Sequence, residues 1–500
     1  MVENLYWGDL HNHNELGYGM GSLERTYEIA RSHLDFIAFT PHGLVAGGRA
    51  PDGIEVVKAN WDRIQRAAAE QNTPGTFTCF LGYEWHSGPW GDVHVVCLDD
   101  DEPMCFAQNL GDLQSHYRSR RAILIPHHTG YVSGVDWDLF DNAISPVVEI
   151  YSEHGCSERD QGPFPMLGHS GGPGSRCFTA QHGLSLGKRF GFVASTDNHD
   201  GFPGGYGWGL AGVWAAENIR ESIWDAIASR RTIAVTGDRI SVDMNVGEHR
   251  LGSEAEPGPS HDVAFEVVGW DTLRLVELVR DNVPVQVWTP DYAGVERDGT
   301  QRYRFRIEYG WGSMKAFQIF DWTGAVTVDG GEISAVVPCF SSDPFDEHRR
   351  KKILEQDRSR CRWQSHTSRG GMFASRNTFT AHSANDALCL EVEGTPETRV
   401  EVDMHGLTKQ SLFATSVDWA VSNTSGSQKW VFTIGELLDG RLGYRMGKPG
   451  GSVVVHRAVP EGLYRMSGGY RHPADERGTY YLRVTQENGQ MAWSSPVWIG

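Results

Sequence analysis

Residues 5–13 read LYWGDLHNH, a short apolar run that ends near Asp9 and is followed by His11 and His13. Side chains two residues apart point to the same side of an extended chain, so two imidazoles spaced in this way can bind one metal ion. An isolated His-x-His pair often arises by chance. Here it gains weight because similar polar residues follow other apolar runs in the first half of the chain.

The first half of the chain alternates predicted strands with predicted helices. Apolar runs indicate strands at residues 34–40, 76–83, 93–98, 122–126, 147–151 and 191–195. Helical spacing indicates helices at residues 23–31, 54–70 and 217–229. We therefore predict an α/β domain over residues 1–240, built on a largely parallel sheet or barrel.

Histidine, aspartate and glutamate side chains follow the predicted strands. They are His11 and His13, His42, Glu84, His127 and His128, Glu153 and His154, and Asp197 and His199. The carboxyl ends of parallel strands meet on one face of a barrel, where active sites are built. Thirteen of the 21 histidines precede residue 200. The first domain is therefore predicted to hold a metal centre.

Some histidines of this region have alternative interpretations. His94 alternates with valines inside a predicted strand and is either a metal ligand or a hydrogen-bonded core residue. His86 has the pattern of a surface or capping residue. Of two neighbours, His127 directly follows its strand and is preferred as a ligand, whereas His128 could face the substrate.

Residues 241–500 are predicted to form a second, β-rich domain. Apolar runs at residues 263–268, 273–279, 285–289, 303–307, 316–320, 430–434, 452–456 and 480–484 alternate with Gly, Pro, Asp and Asn turns, as in a β-sandwich. A charged insertion near 342–372 is predicted to be a short helix or an excursion from the sheets. This half could shape one wall of the pocket or form the interface of a homo-oligomer.

The composition limits the classes of partner. A formal net charge of −19 argues against nucleic acid or an anionic membrane and favours a small-molecule substrate. Apolar runs long enough to span a bilayer are missing, and the first residues do not resemble a signal peptide. The eight cysteines are scattered without a CxxC pair, which is typical of free thiols in a cytoplasmic protein.

Five segments together resemble the PHP (polymerase and histidinol phosphatase) family, specifically its branch with a β-rich C-terminal extension. They are GDLHNH at residues 8–13, DFIAFTPH at 35–42, the segment around Glu84, IPHH at 125–128 and TDNH at 196–199. The ending AWSSPVW at residues 492–498 also resembles the closing strand of that branch. The resemblance implies a distorted (β/α)7 TIM-like barrel that binds up to three divalent ions, usually Zn, Mn or Fe.

Carried over residue by residue, the resemblance also implies a ligand set. The first ion would be held by His11, His13, Glu84 and Asp197; a second would share Glu84 and be completed by His127 and by Glu153 or His154; a third would be held by His42 and His199.

The chain departs from the family pattern at two places near the third ion. Pro41 stands where the family usually has Asp in a Thr-Asp-His motif, and Tyr18 stands in place of the carboxylate of a Ser-Asp-Gly-like turn. Both changes remove a carboxylate. We therefore expect two ions, with the third site weak or empty.

The function predicted from these residues is metal-dependent hydrolysis. A hydroxide that bridges two ions would attack a phosphorus or carbonyl centre, His199 or His128 would deliver a proton to the leaving group, and Arg176 would hold an anionic substrate. A phosphoesterase acting on a small organic phosphate ester is the leading hypothesis. Hydrolysis or elimination at a carbon centre of an organic, even aromatic, substrate is the second, with a lactone, amide or ether bond as target. A non-catalytic binding protein is the third.

Overall fold

The chain divides into two compact units. The computed structural model describes residues 3–46, 52–132, 134–164, 166, 172–258, 261–296, 298–311, 318–341, 347–369, 385–410, 424–446 and 451–500. The first unit comprises Met1–Val268, Arg274–Thr289 and Ser467–Gly500, and the second comprises Gly269–Leu273 and Pro290–Met466. The domain boundary predicted at residue 240 lies inside the first unit.

The described residues contain fewer helices than strands, and the longest helix is Asp52–Gln71. The helices are α1 (Leu23–His33), α2 (Asp52–Gln71), α3 (Leu110–Tyr117), α4 (Ala180–Ser185), α5 (Arg220–Ala228), α6 (Ile434–Asp439) and α7 (Glu461–Tyr464), with a 3-10 turn at Arg176–Phe178. Three of them confirm the helices predicted from the apolar spacing. In α2 the predicted apolar face is buried, with Val57 and Ile64 almost inaccessible. In α1 the Ser22 side chain accepts a hydrogen bond from the Arg25 N–H and so caps the first turn.

Strands are the most frequent type of secondary structure among the described residues. Those before residue 290 are β1 (Asn4–Asp9), β2 (Phe36–Phe39), β3 (His42–Ala46), β4 (Thr78–Ser87), β5 (Asp92–Cys97), β6 (Ala122–His127), β7 (Val147–Ser152), β8 (Gly155–Cys156), β9 (Gly191–Ala194), β10 (Leu210–Ala215), β11 (Thr232–Val235), β12 (Ser241–Val246), β13 (His249–Arg250), β14 (Glu254–Ala255), β15 (Val263–Val268), β16 (Leu273–Arg280) and β17 (Val283–Trp288). The later ones are β18 (Gln301–Gly310), β19 (Gln318–Asp329), β20 (Glu332–Cys339), β21 (Lys352–Gln356), β22 (Arg360–Arg369), β23 (Asp386–Gly394), β24 (Arg399–Gln410), β25 (Thr424–Thr433), β26 (Leu442–Arg445), β27 (Ser452–Val455), β28 (Val459–Pro460), β29 (Arg465–Tyr470), β30 (Gly478–Gln486), β31 (Met491–Ser494) and β32 (Val497–Ile499).

The large sheet of the first unit is mixed, whereas the sequence predicted a largely parallel one. Its order is β14-β32-β30-β31-β11-β10-β1-β2-β4-β5-β6, with β3 also paired to β4. β1, β2 and β4 are parallel neighbours, but β5 runs antiparallel to both β4 and β6. The physical reason is the tight connection between β4 and β5, which includes Gly91 at φ +81° and is too short for a crossover helix.

A smaller sheet, β8-β7-β9, completes the part of the first unit that carries the predicted ligands. β7 and β9 are parallel, with Val147 opposite Gly191. Apolar side chains from both sheets form one core, which includes Phe36, Phe80 and Ile125 from the large sheet and Val193 from the small one. The architecture is therefore mixed α/β and rich in strands.

The last strands of the chain belong to the first unit, although the sequence predicted them in a second domain. β31 pairs with β11 through Ala234 and Trp493, and β32 pairs with both β30 and β14. The AWSSPVW segment thus extends the large sheet. Long-range strand pairing of this kind leaves no local pattern in a sequence.

The second unit contains two antiparallel sheets, β20-β23-β18-β27-β26 and β21-β22-β19-β24-β25. They are consistent with the predicted sandwich-like region. The charged insertion forms a hairpin of β21 and β22 rather than a helix, and its residues 342–346 and 370–372 lie outside the described part. Cys361 and Trp363 are buried, whereas Arg360 and Arg362, which alternate with them, are not, so charge alternates with apolar burial at the strand period. Within the described residues, no helix combines the length and the apolar character needed to cross a membrane.

Candidate metal centre

Two short backbone contacts bring the His-x-His and Asp-x-His motifs together. His11 and His13 lie just beyond β1 rather than inside it. The His13 N–H donates to the Asn198 carbonyl (2.9 Å), and the Asp197 N–H donates to the His11 carbonyl (2.8 Å). Residues 11–13 and 197–199 therefore run side by side after their strands end, which places four predicted ligands on one patch.

The carboxylate of Asp9 fixes this arrangement. Its oxygens accept hydrogen bonds from the Thr196 hydroxyl (2.6 Å), the Thr196 N–H (3.1 Å) and the Gly204 N–H (2.9 Å). Burial raises the pKa of Asp9 to about 6, against the effect of these hydrogen bonds. Asp9 thus acts as a clamp between the end of β1 and the segment that follows β9.

The four residues predicted for a first ion converge. His13 Nε2 lies 3.2 Å from His11 Nε2 and 3.1 Å from Asp197 Oδ1. Glu84 Oε2 lies 3.6 Å from His13 Nε2 and 3.7 Å from His11 Nε2. All four side chains are buried.

The residues predicted for a second ion adjoin this group. His127 Nε2 lies 3.2 Å from Glu84 Oε1, so Glu84 faces both groups through its two oxygens. His154 Nε2 lies 3.2 Å from Asp197 Oδ2 and 3.7 Å from Glu153 Oε1.

The two histidines predicted for a third ion also meet. β3 and β4 are parallel with His42 opposite Glu84, and His42 Nδ1 lies 3.1 Å from Glu84 Oε2. His42 Nε2 lies 3.1 Å from His199 Nε2. His199 Nδ1 also donates to the Asp197 carbonyl (3.0 Å). A carbonyl can only accept, so Nδ1 of His199 carries a proton, and whenever the ring is neutral Nε2 presents its lone pair to this space.

These contacts fit a set of metal ligands better than a hydrogen-bonded network. Buried polar atoms normally have hydrogen-bond partners. Within the described residues, no hydrogen bond reaches Glu84 Oε2, Asp197 Oδ2, His42 Nδ1 or His127 Nε2, although each lies 3.1–3.2 Å from another ligand-type atom. Ligands about 2.0–2.2 Å from a common ion lie roughly 3.2–3.5 Å apart in tetrahedral geometry. The donor set therefore fits divalent metal, and imidazole with carboxylate suits Zn, Mn and Fe.

The two central carboxylates, Asp197 and Glu84, and the imidazole of His42 have the protonation states that metal binding requires. Burial favours the neutral acid at Asp197, but the charges of His11 and His154 hold its pKa well below the usual range. The pKa of Glu84 is lowered in the same way, chiefly by the nearby imidazole of His42. Burial lowers the pKa of His42 to about 4. Ionised carboxylates and a neutral imidazole are the forms that bind cations.

Three of the nine non-glycine residues with positive φ in the described part of the chain lie at this cluster. Asp197 (φ 52°), His128 (φ 53°) and Tyr18 (φ 64°) adopt left-handed conformations that non-glycine residues rarely take. His128 Nε2 lies 3.3 Å from Asp197 Oδ2, so its conformation brings the ring onto the ligand group. Such strain persists where the surrounding structure enforces it and is frequent at functional sites.

Sequence reasoning missed a carboxylate behind the cluster. Glu149 lies in the middle of β7 and is buried, and its Oε2 lies 3.2 Å from His11 Nδ1. Its carboxylate can only accept when ionised, so His11 Nδ1 carries the proton and Nε2 faces the ligand group. Carboxylates that orient ligating histidines in this way are common in metal sites. The sequence did contain an indication of this role, because Glu149 is a charged residue inside the apolar run VVEIYS at residues 147–152.

Two further histidines border the cluster. His94 is fully buried, stacks on His11 at 4.6 Å and places its Nδ1 3.5 Å from Nδ1 of His127. It groups with these two as a set that could hold an ion. His86, interpreted as a surface or capping residue, is instead only partly exposed and contacts Asp92 Oδ1 (3.0 Å) and Glu84 Oε1 (3.5 Å).

Arg176 begins the 3-10 turn and is exposed. The N–H of the preceding residue, Ser175, donates to the Gly130 carbonyl, which places this turn beside the segment that follows His128. The proposed role of Arg176 in holding an anion stays a prediction. The predicted metal ligands are all part of the connected cluster, and their individual roles stay predictions too.

The chain is similar to proteins without an assigned activity. Residues 40–119 and 205–256, about a quarter of the chain, match the model of a family described as a protein of unknown function (DUF3604). An uncharacterized protein of Chlamydia trachomatis is 28% identical over 317 residues, and one of Chlamydia muridarum is 27% identical. Each alignment covers 58% of this chain and 49% of the relative, so the chain spans about half the length of the curated relatives it matches.

One solved structure is also similar. It is a two-domain protein from Bacteroides vulgatus that contains a predicted PHP-like metal-dependent phosphoesterase. It shares 15% identity with this chain at a TM-score of 0.34, and the alignment covers 56% of this chain and 79% of the other.

Proposed function

We propose that this protein is a metal-dependent hydrolase, and specifically a phosphoesterase that acts on a small organic phosphate ester. One observation carries the proposal: buried imidazoles and carboxylates converge at ligand spacing while several of their polar atoms lack hydrogen bonds among the described residues. A core would not retain such atoms for stability alone, because an unsatisfied buried polar group is costly.

We also propose that the first unit is a distorted (β/α)7 barrel of the PHP type. The parallel neighbours β1, β2 and β4 support this, as does the small parallel pair β7 and β9. β7 lies beside β6, an edge strand of the large sheet, and β9 lies beside β10 and β11 within that sheet, so the small sheet adjoins the large one at two places. Ligand-type residues follow β1, β7 and β9, as active-site residues do at the carboxyl ends of barrel strands.

The proposed ligand roles follow the three groups described above. One ion would be held by His11, His13, Glu84 and Asp197, a second by Glu84, His127 and His154 or Glu153, and a weaker third by His42 and His199. Bound divalent ions would activate a water molecule at neutral pH and stabilise negative charge on the attacked group. Glu149 and His94 would orient His11 and His127.

The partly exposed histidines are placed for proton transfer. Hydrolysis adds the oxygen of water to phosphorus, breaks the ester P–O bond and returns a proton to the leaving alcohol. His199 is about one fifth exposed and lies 3.5 Å from Glu153, while His128 is almost buried beside Asp197. An imidazole at the solvent edge can donate that proton, so His199 is the preferred donor and His128 the alternative.

Metal content and ester turnover test the proposal. Protein purified without chelator should contain about two divalent ions per chain by elemental analysis and should hydrolyse p-nitrophenyl phosphate faster than p-nitrophenyl acetate. Asp197→Asn should lose both properties. Asp329→Asn, an exposed carboxylate at the end of β19, is the matched control and should keep both.

The other outcomes separate the alternatives. Preferred turnover of the acetate would replace phosphoester hydrolysis by hydrolysis at a carbon centre. A protein that takes up no Zn, Mn or Fe and hydrolyses neither ester would contradict the hydrolase proposal and favour a binding role.

A further inference from the structure

An aromatic ring stands over the cluster at its solvent side. Tyr18 lies in the turn that follows His13, and 73% of its surface is exposed. Its ring centroid is 5.6 Å from that of His42 and 5.7 Å from that of His199, with the ring planes nearly perpendicular in both pairs. The ring is therefore in contact with the two histidines proposed for the third ion and open to whatever approaches them.

The turn that carries this ring is fixed to the cluster by its backbone. The Met20 N–H donates to the His199 carbonyl (2.9 Å), and the Leu16 N–H donates to the Asn14 side chain (2.9 Å). Gly17 packs so closely against the segment of His42 that a Cβ atom at this position would lie 2.8 Å from the backbone nitrogen of His42. The position of the ring is thus set by the same segments that position His42 and His199.

Packing within the fold does not account for a tyrosine at this position. Tyr18 has a left-handed backbone conformation (φ 64°), which glycine adopts without strain and an aromatic residue does not. Its ring remains mostly exposed, so hydrophobic burial offsets little of this strain. The backbone strain at Tyr18 is not offset by packing of its side chain. Because the residue lies beside a cluster of predicted ligands, this points to a role in binding.

We infer that Tyr18 forms one wall of the substrate site and that the preferred substrate carries a planar, unsaturated ring next to the bond that is cleaved. This inference rests on the proposed function. The charged end of the substrate would bind at the metal cluster that His42 and His199 border, and its ring stacks against Tyr18. Aromatic rings attract one another beyond the effect of buried area, through offset or edge-to-face contacts. A saturated ring of the same size lacks that part of the attraction.

Equilibrium binding of matched anions tests this without requiring turnover. The probes are phenylphosphonate against cyclohexylphosphonate, and benzoate against cyclohexanecarboxylate, measured by calorimetry on the metal-loaded full chain. The wild-type protein should bind at least one planar probe roughly three- to tenfold more tightly than its saturated partner. Tyr18→Phe should keep this preference. Tyr18→Gly and Tyr18→Asn, which tolerate the left-handed backbone, should abolish it, with a smaller loss of affinity for the saturated probe than for the planar one.

Each contrary result is specific. Equal binding of planar and saturated probes by the wild type, or binding of none of the four, overturns the inference. Loss of a bound metal ion in Tyr18→Phe also overturns it, because the phenol oxygen would then be a ligand rather than the ring a wall. A planar preference that depends on Tyr18 in a protein without phosphatase activity supports the aromatic wall and contradicts the phosphoesterase proposal alone.

Discussion

Buried glutamates of the two units have different surroundings. In the second unit, Glu391 accepts hydrogen bonds through both oxygens, from Arg304 Nε (2.8 Å) and from the Ser334 hydroxyl (2.7 Å). In the first unit, Glu84 faces imidazoles, and within the described residues no hydrogen bond reaches its Oε2. The arrangement around Glu391 contains its own counter-charge, whereas the arrangement around Glu84 is one that a metal ion could complete. The difference teaches that burial of charge alone does not mark a functional site; the geometry of the partners does.

A further buried glutamate, Glu158, shows that missing hydrogen bonds distinguish the cluster and are not a property of the whole first unit. Glu158 lies in the first unit and accepts from Arg483 Nε (3.0 Å) and from the Tyr481 hydroxyl (2.6 Å). Arg483 also donates to Glu277 (3.1 Å). This buried network resembles that of Glu391 and contains its own counter-charge.

Exchanging Glu84 for glutamine is expected to have the largest effect. Glu84→Gln removes a charge that two ions would share, so metal affinity should fall at least about a thousandfold, equivalent to about 4 kcal/mol. Elemental analysis after dialysis against a metal buffer measures the change. If Glu84→Gln retained the full metal content, the distinction between the two glutamates would be lost.

The same exchange in the second unit should affect stability instead. Glu391→Gln leaves Arg304 buried beside a neutral amide and two aromatic rings, and breaking a buried pair in this way typically costs about 3 kcal/mol. The urea midpoint should fall while the metal content per folded chain stays at the wild-type value. A stable Glu391→Gln, or one that loses metal, would contradict this.

A smaller effect on metal is expected behind the cluster. Glu149→Gln keeps the shape of the side chain but removes the charge that orients His11, so metal affinity should fall about 10- to 100-fold. Competition with a coloured chelator measures the affinity. Glu277→Gln is a control from the Arg483 network of the same unit and should leave metal affinity unchanged.

The smallest effect concerns pH in the second unit. Burial favours the neutral acid at Glu308, but hydrogen bonds from His456 and Asn385 lower its pKa below the ordinary 4.5. A lowered pKa in the folded protein gives stability that is present above pH 4.5 and is lost as the pH falls through the lower value. Glu308→Gln should therefore cost about 1 kcal/mol at pH 7 and flatten the acid side of the stability profile. An unchanged profile would contradict the assignment.

Much of the candidate site could be predicted because its residues lie where local pattern is informative. His11, His13, Asp197 and His199 follow short apolar strands, and parallel strands bring such positions to one edge. The helix over residues 54–70 and the strands near residues 36 and 191 were also found from periodicity. These features depend on neighbours in the sequence.

The features that could not be predicted from the sequence depend mainly on contacts between distant segments. Glu149 and His94 lie inside buried strands, and their role follows only from the rings of His11 and His127 across the sheets. The hairpin of β21 and β22 was missed because a high density of charge conceals the alternation of Cys361 and Trp363. The mixed sheet was missed because an apolar run predicts a strand but does not indicate whether the neighbouring strand is parallel or antiparallel to it.

The pairing of β31 with β11 has a consequence for the order in which the protein matures. The ribosome must release residues 491–494 before Ile233, Ala234 and Val235 gain their partner strand. Until then one edge of β11 is unpaired. Chaperones commonly bind exposed strand edges of this kind in nascent chains. Although every proposed ligand is synthesised within the first 199 residues, the scaffold that supports them is complete only after residue 494 has emerged. Acquisition of metal is therefore expected to follow the emergence of β31.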